Sequence, residues 1–287
     1  MTHRVAVIGD ALIDIVDGRW IPGGAALNVA VGLARLGATV DLVTMLAHDE
    51  PGQLLRSYAA ERGVTVHATS APLGTATATA TRVDNSMRYV FNEAGIRRRF
   101  EVGEYAEVLE AADGIVVSCV PLEHSDQTDA LLALQHLEVP FVLDANPRPG
   151  YLGGSEATVR AFAAGLDRLA AGATMVKLSD EDTQLLFGEE QNETAERMLA
   201  AGLDVALITT GPEGASIRTG TRAVHRPIVQ LPEPIVDTIG AGDATTAAMT
   251  LALLEGGTDT DWGSALEHAM RIAAATCRVA GGELQLP

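Results

Sequence analysis

The chain has 287 residues, 47% of them hydrophobic and 20% charged, a balance that excludes a disordered chain and is ample for a buried core. A formal net charge of −18 excludes non-specific binding to nucleic acid or an anionic membrane surface, which would be repelled at long range, yet leaves room for an anionic small molecule in a cleft. Cys119 and Cys277 form no CxxC or zinc pattern, and no stretch has the makeup of a signal peptide or a bilayer span, so a cytoplasmic protein with two buried thiols is expected.

Residues 4–10, Arg-Val-Ala-Val-Ile-Gly-Asp, are a nearly continuous apolar run, the pattern of a strand covered on both faces of a parallel sheet. Just past its end Asp14 stands among apolar neighbours, where open parallel sheets place ligands; a solvent-facing strand-end carboxylate is the plainer alternative. Pro22-Gly23-Gly24 opens a helix over 25–36, closed by Gly37. Asn28 is out of place in this Ala/Val/Leu helix, and its amide, able to donate and accept, suits a polyol. A strand over 39–46 and a helix over 52–62, closed by Gly63, complete a β-α-β-α alternation that predicts parallel pairing.

From Thr75 strict alternation runs to Val83, through a polar turn at 84–86, and on to 87–91, which predicts an antiparallel hairpin, either an edge of the main sheet or a separate flap. Arg97, Arg98 and Arg99 follow, either a solvated patch or a contact with an anionic substrate or another subunit. After a strand over 114–120 and a helix over 126–137, a strand over 140–143 runs out into Asp144-Ala145-Asn146-Pro147-Arg148-Pro149. Polar residues at a buried strand's end, stiffened by prolines, are where a ligand contact is expected. The strand ending at Leu178 leads to Ser179, a plausible N-cap, with Asp182 in the capping-box position, a sufficient structural account by itself. A further strand from Val205 turns at Gly211-Pro212-Glu213-Gly214, and short strands over 215–217 and 225–229 follow.

The most informative stretch is Asp237-Thr238-Ile239-Gly240-Ala241-Gly242-Asp243-Ala244-Thr245-Thr246. Two close glycines feeding a helix present free N–H groups and the positive end of a helix dipole, a ready anion site. Asp243 adds what a plain phosphate cradle does not need: an acid able to take the proton of a hydroxyl attacking a phosphoryl group. No Walker loop occurs in the chain, and a dinucleotide fingerprint would need glycine where Thr245 stands. An amphipathic helix over 262–279 and Gly281-Gly282 end the chain, and the seven histidines are scattered without metal-ligand spacing.

Asp237-Thr238-Ile239-Gly240-Ala241-Gly242-Asp243 resembles the C-terminal signature of the PfkB (ribokinase-like) carbohydrate kinases, and Gly23-Gly24-Ala25-Ala26-Leu27-Asn28-Val29-Ala30 their N-terminal one. The resemblance spans nearly the whole chain. It implies one ribokinase-like three-layer α/β/α domain over 1–287 with a mostly parallel central sheet, and a small β-lid from about 11–22 and 72–98. It further implies an ATP- and Mg²⁺-dependent sugar kinase working as a homodimer, and permits K⁺ as a further cofactor. Asp243 would be the catalytic base, beside the Gly240, Ala241 and Gly242 backbone. Asp14, Gly24, Asn28, Asn146 and Arg148 would bind the sugar, and Lys177, Ser179, Thr209, Gly211 and Gly214 the nucleotide. Asp182 would serve magnesium, and Asp237 with the Ile239 carbonyl potassium. The Asp144-Ala145-Asn146-Pro147-Arg148 element leans to fructokinase-like members and a ketohexose, although those usually carry arginine where this chain has Asn92. A nucleoside or another sugar as acceptor, and a sugar-binding regulator without turnover, remain as alternatives.

Overall fold

In the computed structural model, which describes residues 2–83 and 86–287, the main sheet starts with β1 (Arg4–Gly9). The chain leaves it for β2 (Leu12–Val16) and β3 (Arg19–Gly23), and α1 (Ala25–Arg35) returns it to β4 (Thr39–Met45). Helix α2 (Glu50–Glu61) leads to edge strand β5 (Val64–Thr69), after which β6 (Thr77–Val83) and β7 (Ser86–Phe91) leave the sheet again. Short helices α3 (Glu93–Ile96) and α4 (Ala106–Glu110) precede β8 (Gly114–Ser118). The sheet then grows through α5 (Ser125–Leu134), β9 (Phe141–Asp144), α6 (Pro149–Leu152), α7 (Glu156–Ala170), β10 (Met175–Ser179), α8 (Asp180–Phe187), α9 (Gln191–Ala200) and β11 (Val205–Thr209). Strands β12 (Ala215–Thr219) and β13 (Ala223–Arg226) and helices α10 (Ala241–Gly256) and α11 (Trp262–Thr276) follow.

The main sheet has the order β13-β12-β11-β10-β9-β8-β1-β4-β5, parallel from β5 to β11 and antiparallel only at the β12–β13 edge. Its inner strands read as continuous apolar runs because alternate residues serve two cores. Val5, Val7, Leu42, Val116 and Val142 join the side chains of α1, α2, α10 and α11; Ala6, Ile8, Ile115, Val117 and Leu143 join those of α4, α5, α7, α8 and α9. The result is a three-layer α/β/α architecture. Among the described residues no helix is long and apolar enough to cross a membrane.

The hairpin does not extend the main sheet. It forms a separate four-stranded sheet, β3-β2-β6-β7, in which β2 pairs parallel to β6 with Asp14 beside Ala78. Asp84 and Asn85 of the expected turn lie outside the described residues. Asn92 holds the base of the hairpin. Its Oδ1 accepts from Gly95 N–H (2.9 Å) and Thr77 N–H (3.1 Å), capping α3, while Nδ2 donates to the Thr75 carbonyl. The solvated arginine patch is corrected in part. Arg97 is exposed and pairs with Glu93, but Arg98 is 3% exposed, with its guanidinium 3.6 Å over the Tyr151 ring.

Candidate active site

The C-terminal ends of β1, β8, β9, β10 and β11 and the N-termini of α1 and α10 meet on one side of the sheet, where open α/β folds bind ligands. Helix α10 starts at Gly240, whose φ of 79° is the left-handed conformation that glycine adopts without strain. A Cβ there would also collide with the Gly282 backbone. The first-turn N–H groups of Gly242 and Asp243 have no intrahelical acceptor and face outward with the positive end of the helix dipole.

Asp243 sits in this first turn, 7% exposed, and its Oδ2 accepts from Asn28 Nδ2 at 2.8 Å. The amide that is anomalous within α1 is therefore the partner of the acid that is anomalous within α10. Burial, and then the nearby Asp144 charge, push the Asp243 carboxyl up to about 7, against the Asn28 hydrogen bond and the charges of Arg148 and Lys177. A carboxyl held near neutrality in a buried site is suited to act as a general base.

Asp144, fully buried at the end of β9, organises the other side. Its Oδ1 accepts from Lys177 Nζ at 3.2 Å and its Oδ2 from Thr246 Oγ1 of α10 at 3.3 Å. This aims the ammonium at the start of α10: a Cβ on Gly242 would lie 3.5 Å from Lys177 Nζ. Burial alone would lower the Lys177 ammonium, but the carboxylates of Asp144, Asp182 and Asp243 together raise it above its ordinary value, so it stays charged.

Asp14 lies on β2 at the small sheet's junction with the main body. Burial, and then the charge of Asp10, push its carboxyl up to about 6, opposed by Arg148. Arg148 itself is exposed to solvent on the loop after β9, and its charge bears on Asp10, Asp14, Asp144 and Asp243. Tyr89 of β7 is also influenced by Asp14 and Arg148, so the hairpin forms a wall of the same space. Asn146 adopts φ 42°, a strained value at the end of β9.

Two residues were missed by sequence reasoning. Asp10 receives Ala26 N–H on Oδ1 (3.3 Å), and Leu27 N–H on its carbonyl (3.2 Å), supplying the cap that Gly24, lacking a side chain, cannot give α1. Gly24 permits this closeness: its φ is 105° and a Cβ would lie 2.6 Å from the Asp10 carbonyl oxygen. The second is Asp144 as the holder of Lys177. In sequence both read as the polar end of a strand.

Other candidates stand apart. Ser179 and Asp182 form a full capping box on α8, with Asp182 Oδ2 taking Ser179 N–H at 2.9 Å and lying 3.9 Å from Lys177 Nζ. Thr209 Oγ1 contacts the Leu178 carbonyl, Gly211 begins a 3₁₀ turn, and Gly214 packs against the Arg226 carbonyl of β13. Asp237 folds its own loop, Oδ1 accepting from Ile239 N–H (3.0 Å) and Oδ2 from Gly281 N–H (3.2 Å). Asp182 and Asp237 are not gathered into one set: among the described residues no cluster of three or more His, Cys, Asp or Glu could hold a metal ion. Two cavities, of about 440 and 430 Å³, lie elsewhere, around Thr260 and Asp261 at the far end of α10, and are lined by none of the candidate site residues.

Residues 3–287 match the model of the pfkB family carbohydrate kinases. The chain belongs to this family. A fructokinase of Escherichia coli is 31% identical over 291 residues, covering 91% of this chain and 88% of its own. The fructokinase of Xylella fastidiosa with bound ATP superposes with a TM-score of 0.82 at 22% identity, covering 98% of this chain and 94% of that one. A putative ribokinase II from E. coli in complex with ATP and Mg²⁺ gives 0.80 at 20% identity over 98% and 94%. The fold of this pfkB kinase is thus ribokinase-like, and phosphoryl transfer is the class of chemistry its family performs.

Proposed function

We propose that this chain is an ATP-dependent sugar kinase that transfers the γ-phosphoryl group to a hydroxyl of a small sugar, with a ketohexose such as fructose the first choice. The observation that carries this reading is Asp243: buried, raised to about 7, bonded by Asn28, and set in the first turn of a helix whose N–H groups and neighbouring Lys177 favour an anion. The fructokinase name of the E. coli relative supports the sugar, and the ATP bound to the Xylella enzyme supports the donor.

In this reading Asp243 accepts the proton of the attacking hydroxyl. The N–H groups of Gly242 and Asp243, with Lys177, stabilise charge on the group in transfer, while the Ala241 N–H donates to the Thr238 carbonyl at 3.4 Å. Asp14, Gly24, Asn146 and Arg148 orient the sugar. Asn28 joins them through Oδ1, since Nδ2 is held by Asp243. Ser179, Thr209, Gly211 and Gly214 border the nucleotide. Magnesium fits as an ion carried chiefly by nucleotide oxygens, with Asp182 acting through water, because the described residues offer no protein cage and Asp182 Oδ2 is already engaged. When bound it neutralises phosphate charge. Potassium would lie by Asp237 and the Ile239 carbonyl.

The small sheet acts as a lid that excludes water from the transferred group. Its outer strands expose Trp20, Ile21 and Val90, apolar side chains suited to a homodimer contact. A cytoplasmic location matches the need for ATP.

The test is ADP release with Mg-ATP across ketohexoses, aldopentoses, 2-keto-3-deoxygluconate, phosphosugars and nucleosides, with and without potassium. Turnover on a ketohexose supports the reading, and turnover on a nucleoside alone replaces the acceptor. Sugar-induced stabilisation without ADP would replace the kinase with a binding protein.

A further inference from the structure

Past α11 the chain returns across the start of α10. Gly281 N–H reaches Asp237 Oδ2, and Gly282 then lies against two parts of the site at once. A Cβ on Gly282 would collide with Asn28 Nδ2, and the Gly282 carbonyl fills the space beside Gly240. Only a bare backbone fits between the Asn28 amide and the loop that begins α10.

What holds the segment there is Glu283. It takes Arg35 NH1 at 3.0 Å, Arg62 Nε and NH2 each at 2.9 Å, and the Tyr58 hydroxyl at 3.1 Å. Arg62 is itself fixed 3.6 Å over the Tyr58 ring. Leu284 is fully buried in the core shared by α1 and α10, and Gln285 N–H donates to Thr276 Oγ1 at 3.0 Å. A carboxylate bound by donors from α1, α2 and the residue after α2 is a network rather than a lone surface pair.

We propose that Glu283 is a positioning residue: it anchors the C-terminal segment to α1 and α2, which presses Gly282 against Gly240 and the Asn28 amide and so sets the Asn28–Asp243 hydrogen bond. The role in catalysis rests on the kinase reading above; the role in holding the loop does not. Helix α2 also packs on β2 and β3, so the same carboxylate ties the small sheet's support to the catalytic loop.

The Asn28 bond is one of the influences that keep the Asp243 carboxyl from rising further, beside Arg148 and Lys177 and against Asp144. Loosening it therefore moves the acid side of the rate profile to higher pH. The experiment compares wild type, Glu283→Ala, Glu283→Gln and a control, Leu131→Ala, which opens a cavity on α5 in the opposite helix layer. Glu283→Ala is expected to shift the acid limb of kcat/KM for the sugar upward by roughly one pH unit, about a tenfold loss at pH 6 and little at pH 9. Glu283→Gln, which keeps one acceptor oxygen, should shift less. Leu131→Ala should lower the melting temperature and leave the limb in place. An unmoved limb in a folded Glu283→Ala protein overturns the role in catalysis.

Amide hydrogen exchange over residues 238–244 supplies a readout independent of turnover. Faster exchange there in Glu283→Ala than in Leu131→Ala supports the anchoring even if no acceptor sugar is found and the kinase reading falls. Equal exchange overturns it.

Discussion

With its carboxyl near 7, Asp243 is about half ionised at neutrality, and a reaction that uses it as base should accelerate between about pH 6 and 8 and level off above. A pH profile of kcat/KM that is flat across this range would remove Asp243 from that role. Asp243→Asn should lower kcat by roughly 10²–10⁴-fold. The same substitution should stabilise the protein. Because the folded value lies above the ordinary 3.8, the folded state holds the proton more tightly than the unfolded chain does. The resulting stability is full below about pH 4 and is lost as pH rises through 7. At pH 8.5 the buried carboxylate is a burden, and its amide replacement should melt higher, by on the order of 1–3 kcal/mol in stability. At Lys177 the sign is opposite. Lys177→Met leaves the Asp144 carboxyl buried without its cation and should cost about 3–5 kcal/mol in urea denaturation near neutral pH. Asp14, Asn28 and Asp243 were legible in the sequence because each is a polar residue where the local pattern calls for an apolar or helix-forming one. Asp10, Asp144 and Arg98 were not, because their partners, Ala26, Lys177 with Thr246, and Tyr151, are set only by the tertiary fold.

At the scale of elements, the inner parallel strands announced themselves as short apolar runs ending in polar residues, and the structure keeps those expected within a few residues of their bounds, whereas the parallel edge strand β5, whose Val64-Thr65-Val66-His67 is only half apolar, was missed. Helices α7 and α9 were missed. In α7 the buried Phe162, Leu166 and Leu169 have helical spacing and form a clear apolar face, a periodic signal that was there to read; α9 buries only Thr194, Ala195 and Met198 of its ten residues. The expected C-terminal helix over 262–279 stops at Thr276, where the chain turns back toward α10. That return makes the α10 entry intolerant of side chains. Gly240→Ala meets both a left-handed φ and the Gly282 backbone and should lose roughly 2–5 kcal/mol, with activity falling alongside. Gly63→Ala, also at positive φ but with open space around it, should lose only about 1 kcal/mol. Thermal melts of the two variants side by side check this.

For the molecule as a whole, the sequence's alternation of strands and helices implied a layered parallel fold. The separate small sheet was visible only as one of two options for the hairpin, because nothing local tells an edge strand of one sheet from a strand of another. The charge of −18 has a consequence for the reaction as well as for binding partners. On the proposed reading an anionic nucleotide approaches against the field of the whole protein, so kcat/KM for Mg-ATP should rise by roughly twofold or more as ionic strength goes from 0.01 to 0.15 M at fixed potassium. A falling value would mean that the positive groups at the cleft, Lys177 and Arg148, dominate the approach.

The Asn28–Asp243 bond joins residues 215 positions apart. On a ribosome adding roughly 5–20 residues per second, Asn28 emerges on the order of 10–40 s before the carboxylate that will receive its amide. Throughout that interval the growing chain holds one half of the pair, and no product of translation that ends before residue 243 can form the bond.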